Sequence, residues 1–291
     1  MEAERGIPKR TPKIHVLDEK GLEGMVFKIA ETREELEEAY RVVHDTYVEE
    51  EYMDPHPSKM RIKLMNAHPH TITFIGKKED HVAITLTVIP DSPLGLPVDD
   101  IYKQEVDRLR AMQRSVVEVG SLASHVLYRD HKKNSHMEII TRLKNIALHI
   151  DMASIVYSSH YLNADDMVIA VHPKHKKFYE QVLLFEPFGE EKAYPDVKGN
   201  LAVGLRLNLR DVEEKYRERY SGNQQGWGFY QVILGDYGLS LQLPQERKPV
   251  SVWNADLLSY FFEQKTDILR TAPSSQLEYL TLQYNGMLPK T

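Results

Sequence analysis

The chain has 291 residues, carries 37 Lys and Arg against 43 Asp and Glu for a net charge of −6, and contains no cysteine. That length holds one large domain or two modest ones with a real core. The acidic balance speaks against a nucleic-acid partner, and the missing thiols exclude disulfides, thiolate metal sites and a cysteine nucleophile. No apolar run approaches the roughly 18 residues that a membrane helix needs, and the basic N-terminus lacks the apolar stretch of a secretory signal, so the expected location is cytoplasmic.

Residues 1–24 read as a charged, proline-punctuated arm, and 25–30 as a short strand. Thr32 and Glu35 have the spacing of a capping box, in which each side chain satisfies a free amide of the helix start. The helix behind it sets Leu36, Tyr40, Val43 and Tyr47 on one stripe. Residues 71–75 and 82–89 are β-branched runs around a polar turn and predict a hairpin. A loop with three prolines (90–97) leads to a helix with Val98, Ile101, Val106, Leu109 and Met112 inward. Residues 116–123 form the next strand, and 128–134 a basic loop. Ser135 and Glu138 make a second capping box, before a helix with Ile139, Leu143, Ile146, Ala147 and Ile150 inside. Residues 153–157 read either as a strand or as a continuation of that helix.

Residues 168–189 (VIAVHPKHKKFYEQVLLFEPFG) then run as strand, basic turn, short helix with Phe178 and Tyr179, and a second apolar segment. The start of a helix carries free amides and favours an anion. Residues 201–207 make a further strand. After 209 the pattern turns mostly helical, with a charged helix at 211–220, an amphipathic stretch at 256–269 and a third capping box at Ser275 and Glu278. The expected organisation is the arm (1–24), an α/β domain (25–209) with a mixed sheet covered by helices, and a C-terminal extension (210–291) that caps a cleft, assembles a dimer or forms its own small domain.

Three segments, in order, resemble the GNAT acyltransferase superfamily, and more closely its N-acyl amino acid synthase branch, which is related to the acyl-homoserine-lactone synthases. FKIAETREELEEAYRVVHDTYVEEEYMDP is similar to the family's opening strand and helix, VVEVGSLAS to its central strand, and VHPKHKKFYEQVLLFEPFG to its donor-binding strand–helix unit. The resemblance implies a mostly antiparallel central sheet flanked by helices, and an N-acyltransferase fed by an acyl-phosphopantetheine thioester. Typical coenzyme-A-using members place a glycine-rich loop after the central strand, where this chain reads YRDHKKNSHME without glycine. An acyl carrier protein, which brings no pyrophosphate to such a loop, is therefore the expected donor ahead of acyl-CoA. An acidic carrier needs a basic dock, for which Arg129, Lys132, Lys133, Lys174, Lys176 and Lys177 are the candidates; the bland alternative is two solvated basic turns.

Acyl transfer to an amine needs a base for the ammonium and donors for the oxyanion. Glu118 is the expected base: period two puts it with Val116 and Gly120 on one face of an otherwise apolar strand, where an ionisable group is costly unless used or paired. Gly120 inside a strand marks a bulge or a close ligand approach, so the amides of Ser121, Leu122 and Ala123 are the expected oxyanion and pantetheine contacts. Tyr179 occupies the tyrosine position of the family's donor motif, which implies a proton donor to the leaving thiolate or a hydrogen bond to the thioester; a Phe-Tyr pair that only packs the core is the alternative. Arg61 is either the partner of an amino acid carboxylate or a solvated arginine, with Tyr47 and Tyr52 beside it. The thirteen histidines show no ligand spacing with a mechanism behind it, so no metal is expected. An autoinducer-type synthase and a non-catalytic acyl-ligand binder on the same fold stay as alternatives, and a homodimer is possible.

Overall fold

The structure, a computed structural model, describes residues 22, 24–126, 136–220, 241–285 and 288, with backbone alone over 136–145. The described strands form one sheet in the order β6-β8-β5-β4-β3-β2-β1-β9, with β7 also on β8. The strands are β1 (Met25–Ile29), β2 (Ile72–Lys78), β3 (His81–Pro90), β4 (Val116–Ser124), β5 (Asp166–Val171), β6 (Glu186–Pro187), β7 (Lys192–Tyr194), β8 (Asn200–Asn208) and β9 (Leu241–Gln242). Neighbours pair antiparallel except β4 with β5 and β1 with β9. The architecture is thus the mixed α/β sheet expected from the order of elements, mostly antiparallel as the family resemblance implied.

Alternation along the strands decides what each face holds. Ile72, Phe74, Val117, Val119, Met167 and Ile169 face one way, into a core with α3 (His136–His160). Ile75 and Val82 face the other way, against α1 (Arg33–Glu49), and Val116 and Val168 against α2 (Asp99–Ala111). The Thr32 capping box is formed, with the Glu35 amide donating to Thr32 Oγ1 at 3.2 Å and the Glu31 and Thr32 amides donating to Glu35.

Of the two readings of residues 153–157, the structure has the helix continuation, because Ile155 and Val156 continue the buried stripe of α3. Two expectations are corrected. Met112 is 61% exposed rather than inward: it is the C-cap of α2, where the chain has already left the helical track. Ser275 caps nothing, since α8 (Ser274–Gln283) starts one residue earlier, on the Pro273 carbonyl, which accepts from the Gln276 and Leu277 amides. The Ser135 box lies outside the described residues.

The described residues after 209 pack into the clusters that the sheet and its helices form: Val212, Tyr216 and Tyr220 on the α3 side, Trp253 to Tyr284 on the α1 side. Strand β9 adds to the sheet edge beside β1. Asn254 caps α6 (Ala255–Ser259), a π turn follows (Tyr260–Gln264), and Trp253, Phe261, Phe262 and Tyr284 pack with Tyr40 of α1. Each of these fully buried phenylalanines contributes roughly 1.5–3 kcal/mol by leaving water. The remaining helices are α4 (Lys176–Gln181), α5 (Val212–Tyr220) and α7 (Ile268–Thr271).

Two features position the site. Strands β4 and β5 pair only over Val116–Glu118 and Asp166–Val168, although both run on to residues 124 and 171. The paired end is tied by buried Asp166, which accepts from Arg114 and, at 2.7 Å, from Arg206. The far ends part. On its other side β4 is bulged: Thr87 faces Gly120 and Thr85 faces Ala123, so Leu86 opposes both Ser121 and Leu122, and Ser121 takes a φ of +54°. The second feature is a tyrosine clamp. The Tyr102 hydroxyl donates to the Glu190 and Ala202 carbonyls at 2.6 and 3.0 Å, and a Cβ at Gly189 would lie 2.3 Å from its ring, so only glycine fits there.

Candidate active site

On the α1/α2 face, at the parting of β4 and β5, lies a cleft with about 750 Å³ of free space counted out to solvent. Its floor is Glu118, Gly120 and Ser121 of β4 with Ala170 and Val171 of β5. Its walls come from far apart in sequence. The last turns of α1 bring Tyr47, the α1–β2 connection brings Tyr52, Arg61, Lys63 and Asn66, and the β7–β8 corner brings Tyr194, Asp196 and Asn200.

Glu118 is 5% exposed. The Val98 amide donates to its Oε2 at 2.7 Å, while Oε1 lies 3.8 Å from where a side chain at Gly120 would begin. One oxygen is thus held and the other faces the widening gap. Burial pushes the carboxyl up to about 8, against the opposing pull of the Lys63 charge and the Val98 hydrogen bond. Among the described residues Glu118 makes no ion pair, so it is not the arginine-paired structural carboxylate that the sequence also allowed.

The Val98 amide is itself positioned. Arg110 of α2 donates to Asp91 at 2.8 and 2.7 Å and to Asp99 at 2.9 and 2.8 Å, tying both ends of the proline loop together. Asp99 also accepts from the Leu96 amide at 2.8 Å, and Tyr194 donates to the Pro97 carbonyl at 2.9 Å. A loop rich in proline has few amides of its own to give. These ties leave the Val98 amide free to serve the carboxyl.

Arg61 is not solvated. Its side chain is 9% exposed, its guanidinium donates to Asp196, and its central carbon sits 4.5 Å over the Tyr47 ring. Lys63 donates to the same Asp196 oxygen at 2.7 Å. Burial lowers the Lys63 ammonium pKa, and Arg61 adds to this; Asp196 pulls the other way. Burial would raise Asp196, yet the two cations hold its carboxyl below the usual range. Two cations share one carboxylate, which leaves one positive charge in surplus on the cleft wall. Tyr47 and Tyr52 stand edge to face at 5.6 Å beside it.

The cleft therefore unites Glu118, Ser121, Arg61, Tyr47 and Tyr52 of the expected residues. Leu122 packs toward the α3 core and Ala123 is buried against the α1 core. Tyr179 is not in the cleft: it is buried on the α3 face, edge to face with Phe178 and Phe185. Lys174 is exposed outside the cleft, 3.6 Å from Glu50, and Lys176 is 3.7 Å from Glu180 of its own helix. Lys177 is exposed. Helix α4 has only six residues and is reached through a 3₁₀ turn, so it aligns few amides toward an anion. Arg129, Lys132 and Lys133 lie outside the described residues. Sequence reasoning missed Lys63, Asn66, Tyr194 and Asp196. Lys63 had a weak signal, two residues from Arg61; Asp196, in a polar turn after Pro195, had none.

A carboxyl raised toward neutrality, beside a surplus cation and an opened strand edge, can take a proton from an amine held by its own carboxylate. Among solved structures the chain is similar to FeeM, an N-acyl amino acid synthase from uncultured soil microbes, with 25% identity, 65% of this chain and 93% of that one covered, and a TM-score of 0.51. Looser likenesses are BjaI, a CoA-dependent acyl-homoserine lactone synthase (11% identity, 77% and 96% covered, TM-score 0.46), and the AHL synthase LasI (13%, 76% and 98%, 0.41). No curated protein matches. The family model for the N-acyl amino acid synthase FeeM matches residues 38–208, more than half of the chain and the whole lining of the cleft. The chain belongs to the FeeM N-acyl amino acid synthase family and is an N-acyltransferase.

Proposed function

We propose that this enzyme transfers a long-chain acyl group from an acyl carrier protein thioester to the amine of an amino acid, with Glu118 as the base. The observation that carries this reading is the Glu118 carboxyl itself, buried, held at one oxygen by Val98 and raised to about 8. A peptide α-amine titrates near 8, and the α-ammonium of a free amino acid, beside its own carboxylate, lies higher. A carboxyl raised to about 8 is therefore much closer in basicity to the acceptor than an ordinary carboxylate, which favours it as the general base.

The acceptor's carboxylate pairs with the surplus charge of Arg61 and Lys63, which directs its ammonium toward Glu118. Glu118 takes one proton, and the neutral amine attacks the thioester carbonyl. The C–N bond forms, the C–S bond breaks, and the second amine proton leaves with the thiolate as thiol. The oxyanion formed on the way is met by backbone amides near Gly120 and Ser121, where β4 has left its partner β5. Leu122 and Ala123 contribute through backbone alone, and Tyr179, packed behind the strands on the α3 face, supports the sheet there and does not reach the thioester. The glycine-free 128–138 segment favours a carrier protein over CoA. Lys174, Lys176 and Lys177, with Arg129, Lys132 and Lys133, form its dock; the carrier competes with Glu50 for Lys174. A carrier-protein donor fits a cytoplasmic enzyme, and no helix among the described residues is long and apolar enough to cross a membrane.

The test mixes the purified protein, long-chain acyl carrier protein and pooled amino acids, with product read by mass spectrometry. An acyl-amino-acid mass is expected. Carrier binding without product from either carrier or CoA thioesters would instead make the protein a binder.

A further inference from the structure

Thioester cleavage leaves negative charge on sulfur, and no side chain named so far meets it. Tyr179, the residue expected there, is buried behind the strands with Val119, Met167 and Ile169. The cleft lining supplies a donor of its own at the far end of β5: His172, one residue past the strand.

Alternation along β5 sets the side on which this ring lies. Met167 and Ile169 face α3, while Val168 packs against the α2 core and Ala170 lines the cleft. His172 continues the second series with extended backbone (φ −60°, ψ 137°) and lines the cleft with Ala170. Its Nδ1 caps the 3₁₀ turn that follows, accepting from the Lys174 amide at 3.1 Å. A backbone amide can only donate, so Nδ1 carries the lone pair and the neutral ring holds its proton at Nε2. Among the described residues Nε2 makes no hydrogen bond.

Strand geometry gives the spacing to the base. Val168 pairs with Glu118 across the ladder, and Glu118 Oε1 leans along its strand to within 3.8 Å of where a side chain at Gly120 would begin. At roughly 3.3 Å per residue, His172 stands about 7 Å beyond that level. A tetrahedral carbon whose nitrogen is hydrogen-bonded to a base and whose sulfur is hydrogen-bonded to a donor spans a distance of that order.

Resting on the acyltransfer reading, we propose that His172 is a further catalytic residue, whose Nε2–H donates a hydrogen bond to the thioester sulfur and holds the thiolate as the C–S bond breaks. The electron pair of that bond goes to sulfur, and the thiolate then takes the second amine proton. His172 keeps its own proton throughout: a second one, at Nδ1, would face the Lys174 N–H.

The experiment compares the full-length parent with His172→Asn on two thioesters of one acyl chain, a pantetheine ester and a thiophenyl ester, at saturating acceptor. Asparagine keeps an oxygen for the Lys174 amide, so the turn stays capped, but it places no donor where Nε2 stood. Thiophenol, the more acidic thiol, leaves with less help. The variant's kcat/KM on the pantetheine ester should fall by about ten- to a hundredfold, the worth of a hydrogen bond to a charged group. Its kcat/KM on the thiophenyl ester should change far less, which also shows that the site is folded. Equal losses on both esters overturn the proposal, because they make His172 a cap or a contact to the acyl group; so does an unchanged rate on the pantetheine ester. A parent that transfers from neither ester nor from any other thioester overturns the acyltransfer reading itself, an outcome told apart without the variant.

Discussion

Glu118 and Asp151 are both carboxyls buried on the two faces of the same parted strands, and burial raises both. They differ in everything else. Glu118 has an amide on one oxygen, an opened strand edge at the other and the Lys63 charge near enough to pull its pKa back to about 8. Among the described residues Asp151 has an unpartnered oxygen and no cation beside it to offset its burial. Desolvation alone drives a carboxyl toward its neutral form. Desolvation offset by a nearby cation makes a group that exchanges protons near neutral pH. The comparison assigns base work to the first and no proton transfer to the second.

The largest expected effect breaks the first half. Glu118→Gln keeps shape and the Val98 contact but cannot accept a proton, and kcat should fall by about 10²–10⁴-fold with the melting profile of a folded protein. Next come the cations. Removing the charge at Arg61 or Lys63 should raise KM for the acceptor by roughly ten- to a hundredfold, the worth of a hydrogen bond to a charged group. It should change kcat less, since these residues hold the substrate rather than the proton. If kcat falls and KM does not, the carboxylate dock lies elsewhere.

Smaller effects test what surrounds each carboxyl. Arg110→Met should loosen the loop that presents the Val98 amide, lowering Tm by several degrees and kcat a few-fold. Arg110→Lys should recover less than half of the loss, because a single ammonium cannot hold Asp91 and Asp99 in fork geometry. Unchanged kcat would detach the loop from Glu118. Asp151→Leu should raise Tm by about 2–6 °C, since an unmet buried polar group costs roughly 1–3 kcal/mol. The folded state prefers protonated Glu118, so that preference is full below the ordinary carboxyl range and is lost as pH rises through about 8. Glu118→Gln should therefore gain stability relative to the parent as pH rises from about 5 to 9 and then level off, while the advantage of Asp151→Leu should go on growing across neutral pH, because the folded state holds that carboxyl protonated too.

Much of this was legible in the chain. The Thr32–Glu35 box, the 72–90 hairpin and the strand with Glu118 follow from local spacing, and the structure contains them. A lone carboxylate among Val116, Val117 and Val119 is a strong signal because its cost has to be met somewhere. The Asp196 wall and the Tyr194 contact to Pro97 were not legible, because they join residues 133 and 97 positions apart through turns that look like surface. Asp151 was hidden for the opposite reason: one acid on a long helix reads as a solvated position until the face it shares is known. Tyr179 was visible as a motif residue, but only the parity of its neighbours in space puts it behind the strands rather than in front of them.

The assignment of Glu118 stands on its proton. The acceptor amine has its own titration, so the informative quantity is the ratio of kcat/KM for the parent to that for Glu118→Gln, in which the acceptor's ionisation cancels. Measured between pH 6 and 10, that ratio should climb about tenfold per pH unit and level off above about 8, as the carboxylate fills. A ratio that stays constant with pH, or near one throughout, would remove Glu118 from the proton transfer.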